Sequence, residues 1–345
     1  MTLPILVIKF GTGSITLPDG TPDEGVIHAI AQQVAMLSQQ YRIILVSSGA
    51  VGAGKRHFKN YKGTLTERKA AAAVGNPLLL QIYARHFEPL GITIAQSLCE
   101  RHHFAHRKQF LQLKETYETL WDNGIIPIAN ENDVVSNLEL KFSDNDELAT
   151  LIATGFGASH LLISTSVGGL LDKSKQIIPT VPVIDDTIFG LVTSDKSALG
   201  LGGMLSKLTY TRLATRMGIT TVFFDARTPN GIVLCLEGNT GTVFSPQPTT
   251  GLNARKKWLG SGSLISGQLI LDAGATKAIQ GRKSLLAVGV RKIKGNFEKG
   301  DVIELCDAQS KIIALARAKQ SSESIKNNLS AQNFEVAHAD EIVIV

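Results

Sequence analysis

The stretch Val7-Ile8-Lys9-Phe10-Gly11-Thr12-Gly13-Ser14 decides the fold. The run Ile5 to Lys9 is apolar almost throughout, without the polar alternation of a half-exposed strand, so it reads as a strand covered on both faces. It ends in a lysine and a turn containing Gly11 and Gly13. In open α/β sheets ligands bind at that carboxyl edge, where glycines let backbone N–H groups approach an anion and a lysine adds positive charge. The dinucleotide-binding fingerprint is not met, because no third glycine follows Gly13 at the required distance. A strand ending in a solvated lysine is the plain alternative.

Working outward, further buried strands are expected at Arg42 to Ser47, Ile92 to Gln96, Ile125 to Ala129, Leu161 to Thr165 and Thr220 to Phe224. Helical patterns lie between them. One is expected to start at Thr21-Pro22-Asp23-Glu24, with Thr21 as cap, and to bury Ile27, Ile30, Val34 and Leu37. Others run from Thr66 towards Phe87 and from Asp146 to Thr154. This alternation predicts an α/β fold with a mostly parallel central sheet sandwiched by helices. After Phe244 the turn-forming Ser245 to Gly251 and the basic Arg255-Lys256-Lys257 mark a boundary near residue 252. Short strands such as Leu285 to Val290 and Asp301 to Cys306, with Gly-containing turns between them, predict a small C-terminal β-barrel.

A chain of 345 residues has room for two domains, and 43% apolar with 19% charged residues is an ordinary globular mix. No apolar run approaches the roughly 18 residues of a membrane span, and the N-terminal stretch lacks the basic flank and cleavage site of a secretory signal. Cys99, Cys235 and Cys306 are far apart and odd in number, which suggests reduced, buried thiols in a cytoplasmic protein. The net charge of +5 is uneven. Residues 1–254 carry 21 basic and 21 acidic side chains, whereas 255–345 carry 14 and 9, so two parts with different electrostatic tasks are expected.

Three further segments carry candidate chemistry. In Ser47-Ser48-Gly49-Ala50-Val51-Gly52-Ala53-Gly54, glycines permit close backbone approach and serine hydroxyls can bind a carboxylate or phosphate. Asn130-Glu131-Asn132-Asp133 and Asp144-Asn145-Asp146-Glu147 crowd amides and carboxylates at a strand end and a helix start. Such a cluster can hold Mg²⁺, orient lysines or grip an amino acid, or it can be an Asx-turn and an N-cap. Gly200 to Lys207 reads as a glycine-rich loop opening a helix, with Lys207 in its first turns, but it lacks the Gly-Lys-Ser/Thr ending of a P-loop. Together the four segments suggest phosphoryl transfer. His102, His103 and His106 have no carboxylate or Cys partners at ligand spacing, so no metal site is expected there.

The order Ile8-Lys9-Phe10-Gly11-Thr12, Ser47-Ser48-Gly49-Ala50, Ala71-Ala72-Ala73-Val74-Gly75, Pro127 to Asp133, Asp144-Asn145-Asp146 and Gly202-Gly203-Met204-x-x-Lys207 resembles the glutamate 5-kinase family. That resemblance implies an amino acid kinase fold over residues 1–251, a linker at 252–260 and a PUA-like domain over 261–345. It also implies transfer of the ATP γ-phosphate to the side-chain carboxylate of L-glutamate, with Mg²⁺ on the ATP oxygens, as the first step of proline synthesis. By motif, Lys9 and Lys207 would stabilise the transferring phosphoryl group and Asp146 would hold both lysines. Ser48, Asp133 and Asn145 would bind glutamate. The nucleotide would meet Lys9, Gly11, Gly49, Thr165, Ser166, Gly202, Gly203, Met204 and Lys207, with no metal ligand from the protein. A homo-oligomer and RNA contact through the PUA-like domain are further implications.

The chain departs from the family at Thr165-Ser166, where a Thr-Asp pair is usual, at Leu201, where a threonine is usual, and at Gln112 to Glu115, where an Asn-x-x-Asn helix is usual. A kinase of another acidic substrate, a degenerate regulator that turns over slowly and a PUA-mediated RNA-binding protein are the competing readings.

Overall fold

In the computed structural model, residues 2–105, 107–135, 145–193, 201–247 and 265–344 are described. The strands β1 (Ile5–Phe10), β2 (Arg42–Ser47), β3 (Thr93–Cys99), β4 (Ile125–Glu131), β5 (His160–Ser164), β6 (Thr180–Val181), β7 (Thr220–Phe224) and β8 (Thr242–Phe244) form one sheet in the order β3-β4-β2-β1-β5-β7-β8-β6. Every pairing is parallel except β7 with β8. β1 lies between β2 and β5, in register Lys9 to Val46 on one side and Lys9 to Ile163 on the other. Leu6, Val7 and Ile8 are fully buried there, and each such side chain contributes roughly 1.5–3 kcal/mol of burial free energy. That packing fixes the height at which Lys9 leaves the sheet.

β3 differs from the expectation of strands covered on both faces. It is the edge of the sheet, and only Cys99 along it is buried. Ile92 and Ile94 pack only partly against the core, because an edge strand has a neighbour on one side alone. The expected helix at Thr21 begins two residues later. Thr16 and Pro22 still form an antiparallel bridge, Thr21 hydrogen-bonds the Asp19 carboxylate, and Asp23 caps the helix Glu24–Leu37 by accepting the Val26 N–H. Ile27, Ile30, Val34 and Leu37 are buried as the spacing predicts.

The helix Leu65–Phe87 starts at a capping box between Thr64 and Glu67 and meets the short helix Ala50–Lys55 backbone to backbone. A Cβ on Gly75 would lie 1.7 Å from the Ala50 carbonyl oxygen, and one on Gly54 would lie 1.9 Å from that of Ala71. Only glycine fits at either point.

The chain divides into two compact units, Met1–Glu100 with Leu113–Thr249, and Arg101–Gln112 with Thr250–Val345. The expected linker residues 252–260 lie outside the described residues. In the second unit five strands pair in the order β11 (Val290–Lys294), β9 (Ile265–Leu271), β12 (Val302–Cys306), β13 (Ile312–Arg317), β15 (Ile342–Ile344), and β10 (Leu285–Leu286) pairs with β14 (Glu335–Ala337). The strand expected over Leu285 to Val290 is broken by a 3₁₀ turn at Ala287–Gly289. Gly289 lies against Ala275, where a Cβ would come within 2.5 Å of that side chain. Leu269, Leu271, Ile303 and Leu305 centre this unit's own core. Among the described residues, no helix is long and apolar enough to cross a membrane.

Candidate functional site

Lys9 leaves β1 at its carboxyl end and is 4% exposed. Its ammonium lies 2.6 Å from Asp146 Oδ1, while the Lys207 ammonium donates to Asp146 Oδ2 at 2.8 Å. Asp146 is fully buried in the first turn of the helix Asn145–Phe156, and Lys207 comes from the helix Leu201–Arg216. Burial alone would raise the Asp146 carboxyl, but the Lys9 ammonium and then that of Lys207 overcome it and hold the group below its ordinary value. The first turn of a helix also favours a negative charge. One carboxylate thus fixes two cations from separate elements. A parallel tie joins the same two helices, since Tyr210 OH donates to the buried Glu147 Oε2 at 3.0 Å.

Beside this centre runs a chain of amides. Asn76 Oδ1 accepts from Asn130 Nδ2, Asn130 Oδ1 accepts from Asn145 Nδ2, and the same Nδ2 donates to Ser48 Oγ, each at 2.9 Å. The Ser48 N–H is held at 3.0 Å by the Phe10 carbonyl, which ties the turn after β2 to the end of β1. Asn145 Oδ1 and Asn76 Nδ2 are buried without a hydrogen-bond partner among the described residues. Such atoms are costly to leave unmet, and an incoming polar ligand would satisfy them. Ser48, Gly49, Asn145 and Asp133 line one cavity of about 490 Å³ together with Thr12 and Asn130. Gly49, with φ +104°, turns the chain from β2 into the helix Ala50–Lys55.

The sequence-predicted residues thus fall into three places. Lys9, Asp146 and Lys207 meet; Ser48, Gly49, Asp133 and Asn145 share the cavity; Thr165 and Ser166 follow β5 at the same sheet edge. Thr165 donates its N–H to the Phe224 carbonyl at 2.7 Å, and its buried hydroxyl has no hydrogen-bond partner among the described residues. Ser166 is exposed. Beneath them Ser164 Oγ donates to Ser14 Oγ. Gly11 sits beside the Lys9 ammonium, which a Cβ there would meet at 3.5 Å.

Gly202, Gly203 and Met204 are already helical, in the first turn of Leu201–Arg216, where a glycine loop was expected. Helical placement suits an anion as well, because the first four N–H groups of a helix have no intrahelical acceptor. Gly200 and Asp144 lie outside the described residues.

Asn76 and the Tyr210–Glu147 pair were not singled out from the sequence. Asn76 had a signal, being a lone amide after the small-residue run Ala71 to Gly75. The hydroxyl–carboxylate pair had none, since its partners are 63 positions apart. All three cysteines are buried, and burial pushes the Cys99 thiol up to about 11 and the Cys235 thiol to about 12, so neither supplies a thiolate near neutral pH. Among the described residues no group of three His, Cys, Asp or Glu side chains is placed to hold a metal ion.

Residues 4–225 match the amino acid kinase family and residues 267–332 match the PUA domain. The glutamate 5-kinase of Synechococcus elongatus is 36% identical over 96% of this chain and 93% of its own length. That of Gloeobacter violaceus is 38% identical over the same shares. Among solved structures, the carbamate kinase from Giardia lamblia bound to AMP-PNP aligns with TM-score 0.53 at 18% identity, covering 71% of this chain and 99% of that one, which is a likeness of fold. The geometry at the sheet edge and the near-full-length relatives agree, and the chain belongs to the glutamate 5-kinases within the amino acid kinase family.

Proposed function

We propose that the chain transfers the γ-phosphoryl group of ATP to the side-chain carboxylate of L-glutamate at the edge formed by β1, β2, β4 and β5. The observation that carries this reading is the Lys9–Asp146–Lys207 centre, with Lys9 and Asp146 buried, whose Asp146 adjoins Asn145 of the cavity lined by Ser48 and Asp133. A glutamate γ-carboxylate oxygen attacks the γ-phosphorus, the bond to the β-phosphate oxygen breaks, and ADP leaves with that electron pair. The product is an acyl phosphate.

Lys9 and Lys207 meet the charge on the equatorial oxygens of the transferring group, and Asp146 holds both ammoniums so that no reorganisation is needed at the moment of transfer. Ser48 and Asn145 orient the acceptor, and Asp133 supplies a negative charge for its ammonium. Gly11, Gly49, Gly202 and Gly203 present backbone N–H groups to phosphates, with the main chain at Thr165 and Ser166, and Met204, completing the nucleotide side. Mg²⁺ belongs to this reading as a partner of the ATP oxygens. No covalent intermediate on the protein is required.

The test is glutamate-dependent ADP release with Mg·ATP. Lys207→Ala should lower kcat about 10²–10³-fold, the usual loss on removing one preorganised donor to a developing charge. N-acetylglutamate, which has no free ammonium for Asp133, should be turned over poorly. Equal turnover by Lys207→Ala sinks the role of Lys207. The three buried thiols favour a reduced, cytoplasmic setting, and a homo-oligomer is part of the same proposal, checked by sedimentation.

A second reading for the C-terminal unit is an RNA contact. Its carrying observation is the match of residues 267–332 to the PUA domain, where a cavity of about 650 Å³ is lined by Lys299, Arg317, Lys319 and His338 beside Asp340 and Glu341. RNA affinity that falls steeply with salt would support it.

A further inference from the structure

We infer that Lys55 and Arg68 hold the α-carboxylate of the acceptor amino acid, the carboxylate that is not phosphorylated. The inference rests on the reading of the Ser48, Asp133 and Asn145 cavity as the acceptor site. That cavity has four charged side chains in its lining, Lys55, Arg68, Glu131 and Asp133. An amino acid whose reacting carboxylate points to Lys9 and Lys207 brings two further charges, an ammonium and a second carboxylate. The ammonium matches the carboxylates at the end of β4. The second carboxylate needs a cation, and Lys9 and Lys207 are committed to Asp146 and the phosphoryl group.

Lys55 and Arg68 come from two different helices, as the last residue of Ala50–Lys55 and in the first turn of Leu65–Phe87. The two helices are locked together at Gly54 and Gly75, so the spacing of the two cations is fixed by backbone contact. Neither side chain has a hydrogen bond or ion pair among the described residues, whereas Arg42, Arg85 and Arg227 are paired with Asp122, Glu24 and Asp23. The nearby Asp19 feels the Lys55 charge, which helps to lower its carboxyl after the Thr21 hydrogen bonds, but it makes no hydrogen bond or close ion pair with Lys55. Its carboxylate accepts from the Thr21 N–H at 2.8 Å and the Thr21 hydroxyl at 2.9 Å. The Lys55 ammonium instead lies against Gly20, whose φ is +90° and where a Cβ would come within 2.7 Å of Lys55 Nζ. Gly20 itself lines the cavity. A cation at a helix C-terminus is favoured by the dipole, which gives Lys55 a place but leaves its N–H donors available. Arg68 adds a planar fork suited to a carboxylate.

The experiment compares glutamate as substrate with glutarate and 4-aminobutyrate as competitive inhibitors, in the full chain and in Lys55→Met and Arg68→Met. Glutarate keeps both carboxylates, and 4-aminobutyrate lacks the α-carboxylate. Each variant should raise KM for glutamate and Ki for glutarate about tenfold or more, the scale of one charge-assisted hydrogen bond, with Ki for 4-aminobutyrate unchanged. The KM for ATP should not move, and kcat should fall by less than about threefold, since these contacts are made equally in the ground and transition states. Arg68→Lys should recover part of the loss.

An unchanged glutamate KM in both variants overturns the inference. So does a rise in Ki for 4-aminobutyrate equal to that for glutarate. Ser48→Ala and Asn145→Ala separate the two levels. If they raise the glutamate KM while Lys55→Met and Arg68→Met do not, only the assignment of the two cations fails. If all four leave it unchanged, the cavity is not the acceptor site and both fall.

Discussion

The two sides of the Lys9–Asp146–Lys207 centre are built differently. On the acceptor side, four side chains from four separate segments, Asn76, Asn130, Asn145 and Ser48, form one continuous hydrogen-bonded row. On the nucleotide side, the Thr165 hydroxyl has no hydrogen-bond partner among the described residues, Ser166 is exposed, and the first turn of Leu201–Arg216 holds two glycines. On the proposed reading the acceptor is small and must be told from its analogues, which suits a site assembled from fixed side chains. A polyphosphate is large and highly charged, and in the same proposal main-chain N–H groups with two lysines meet it.

The strongest way to break this comparison is at the centre both sides share. Asp146→Asn leaves the buried Lys9 ammonium and the partly exposed Lys207 ammonium without their counter-charge, so kcat should fall by about 10³-fold or more, and stability to urea should drop by about 3 kcal/mol. A mutant that keeps wild-type turnover would show that the lysines are placed by something else.

Next comes the amide row. Asn130→Ala removes the link between Asn76 and Asn145, and the expected result is a glutamate KM raised about tenfold with the KM for ATP unchanged. A matching rise in both constants would mean that the row supports the whole edge rather than the acceptor side.

The pH dependence of stability is a finer probe of the same asymmetry. The folded Asp146 carboxyl lies below its unfolded value, so the folded protein binds that proton more weakly than the unfolded chain does. Its contribution is full above about pH 4, the unfolded range of an aspartate, and is lost as the pH falls through the folded value. Asp146→Asn should therefore flatten the acid limb of the stability curve, measured as the urea midpoint against pH. The smallest effect is expected on the nucleotide side, where Thr165→Val removes an unpaired hydroxyl at constant shape. The KM for ATP should change by less than about threefold and stability should hold or rise by about 1 kcal/mol. A tenfold loss of ATP affinity would give that hydroxyl a ligand and erase the contrast.

Much of this site is readable from residue order. Lys9, Asp146 and Lys207 each stand at a strand end or in the first turns of a helix, where apolar periodicity and glycines mark the position, and these three meet in the fold. The amide row was half visible. Ser48, Asn130 and Asn145 lie in segments that announce themselves by crowded polar residues, whereas Asn76 sits inside a long helix and acquires its role only from Gly54 and Gly75, which bring that helix against the turn after β2. Likewise the apolar pattern of β3 cannot distinguish an edge from a centre, because that depends on how many neighbours the strand finds. The cap of the first long helix moved from Thr21 to Asp23 for a similar reason, a bridge between Thr16 and Pro22 that no local signal encodes.

The ratio of one carboxylate to two ammoniums at Asp146 also bears on how the catalytic cycle ends. Two uncompensated lysines would present a double positive charge to any phosphate, including the ADP left after transfer. Asp146 reduces the sum to a single positive charge while fixing both ammoniums in position. On the proposed reading, attraction for the departing nucleoside diphosphate is thereby moderated, while the two ammoniums stay aimed at the phosphoryl group in transfer. By the same proposal, the aspartate that holds both lysines should also limit product inhibition, so that Asp146→Asn lowers the Ki for ADP.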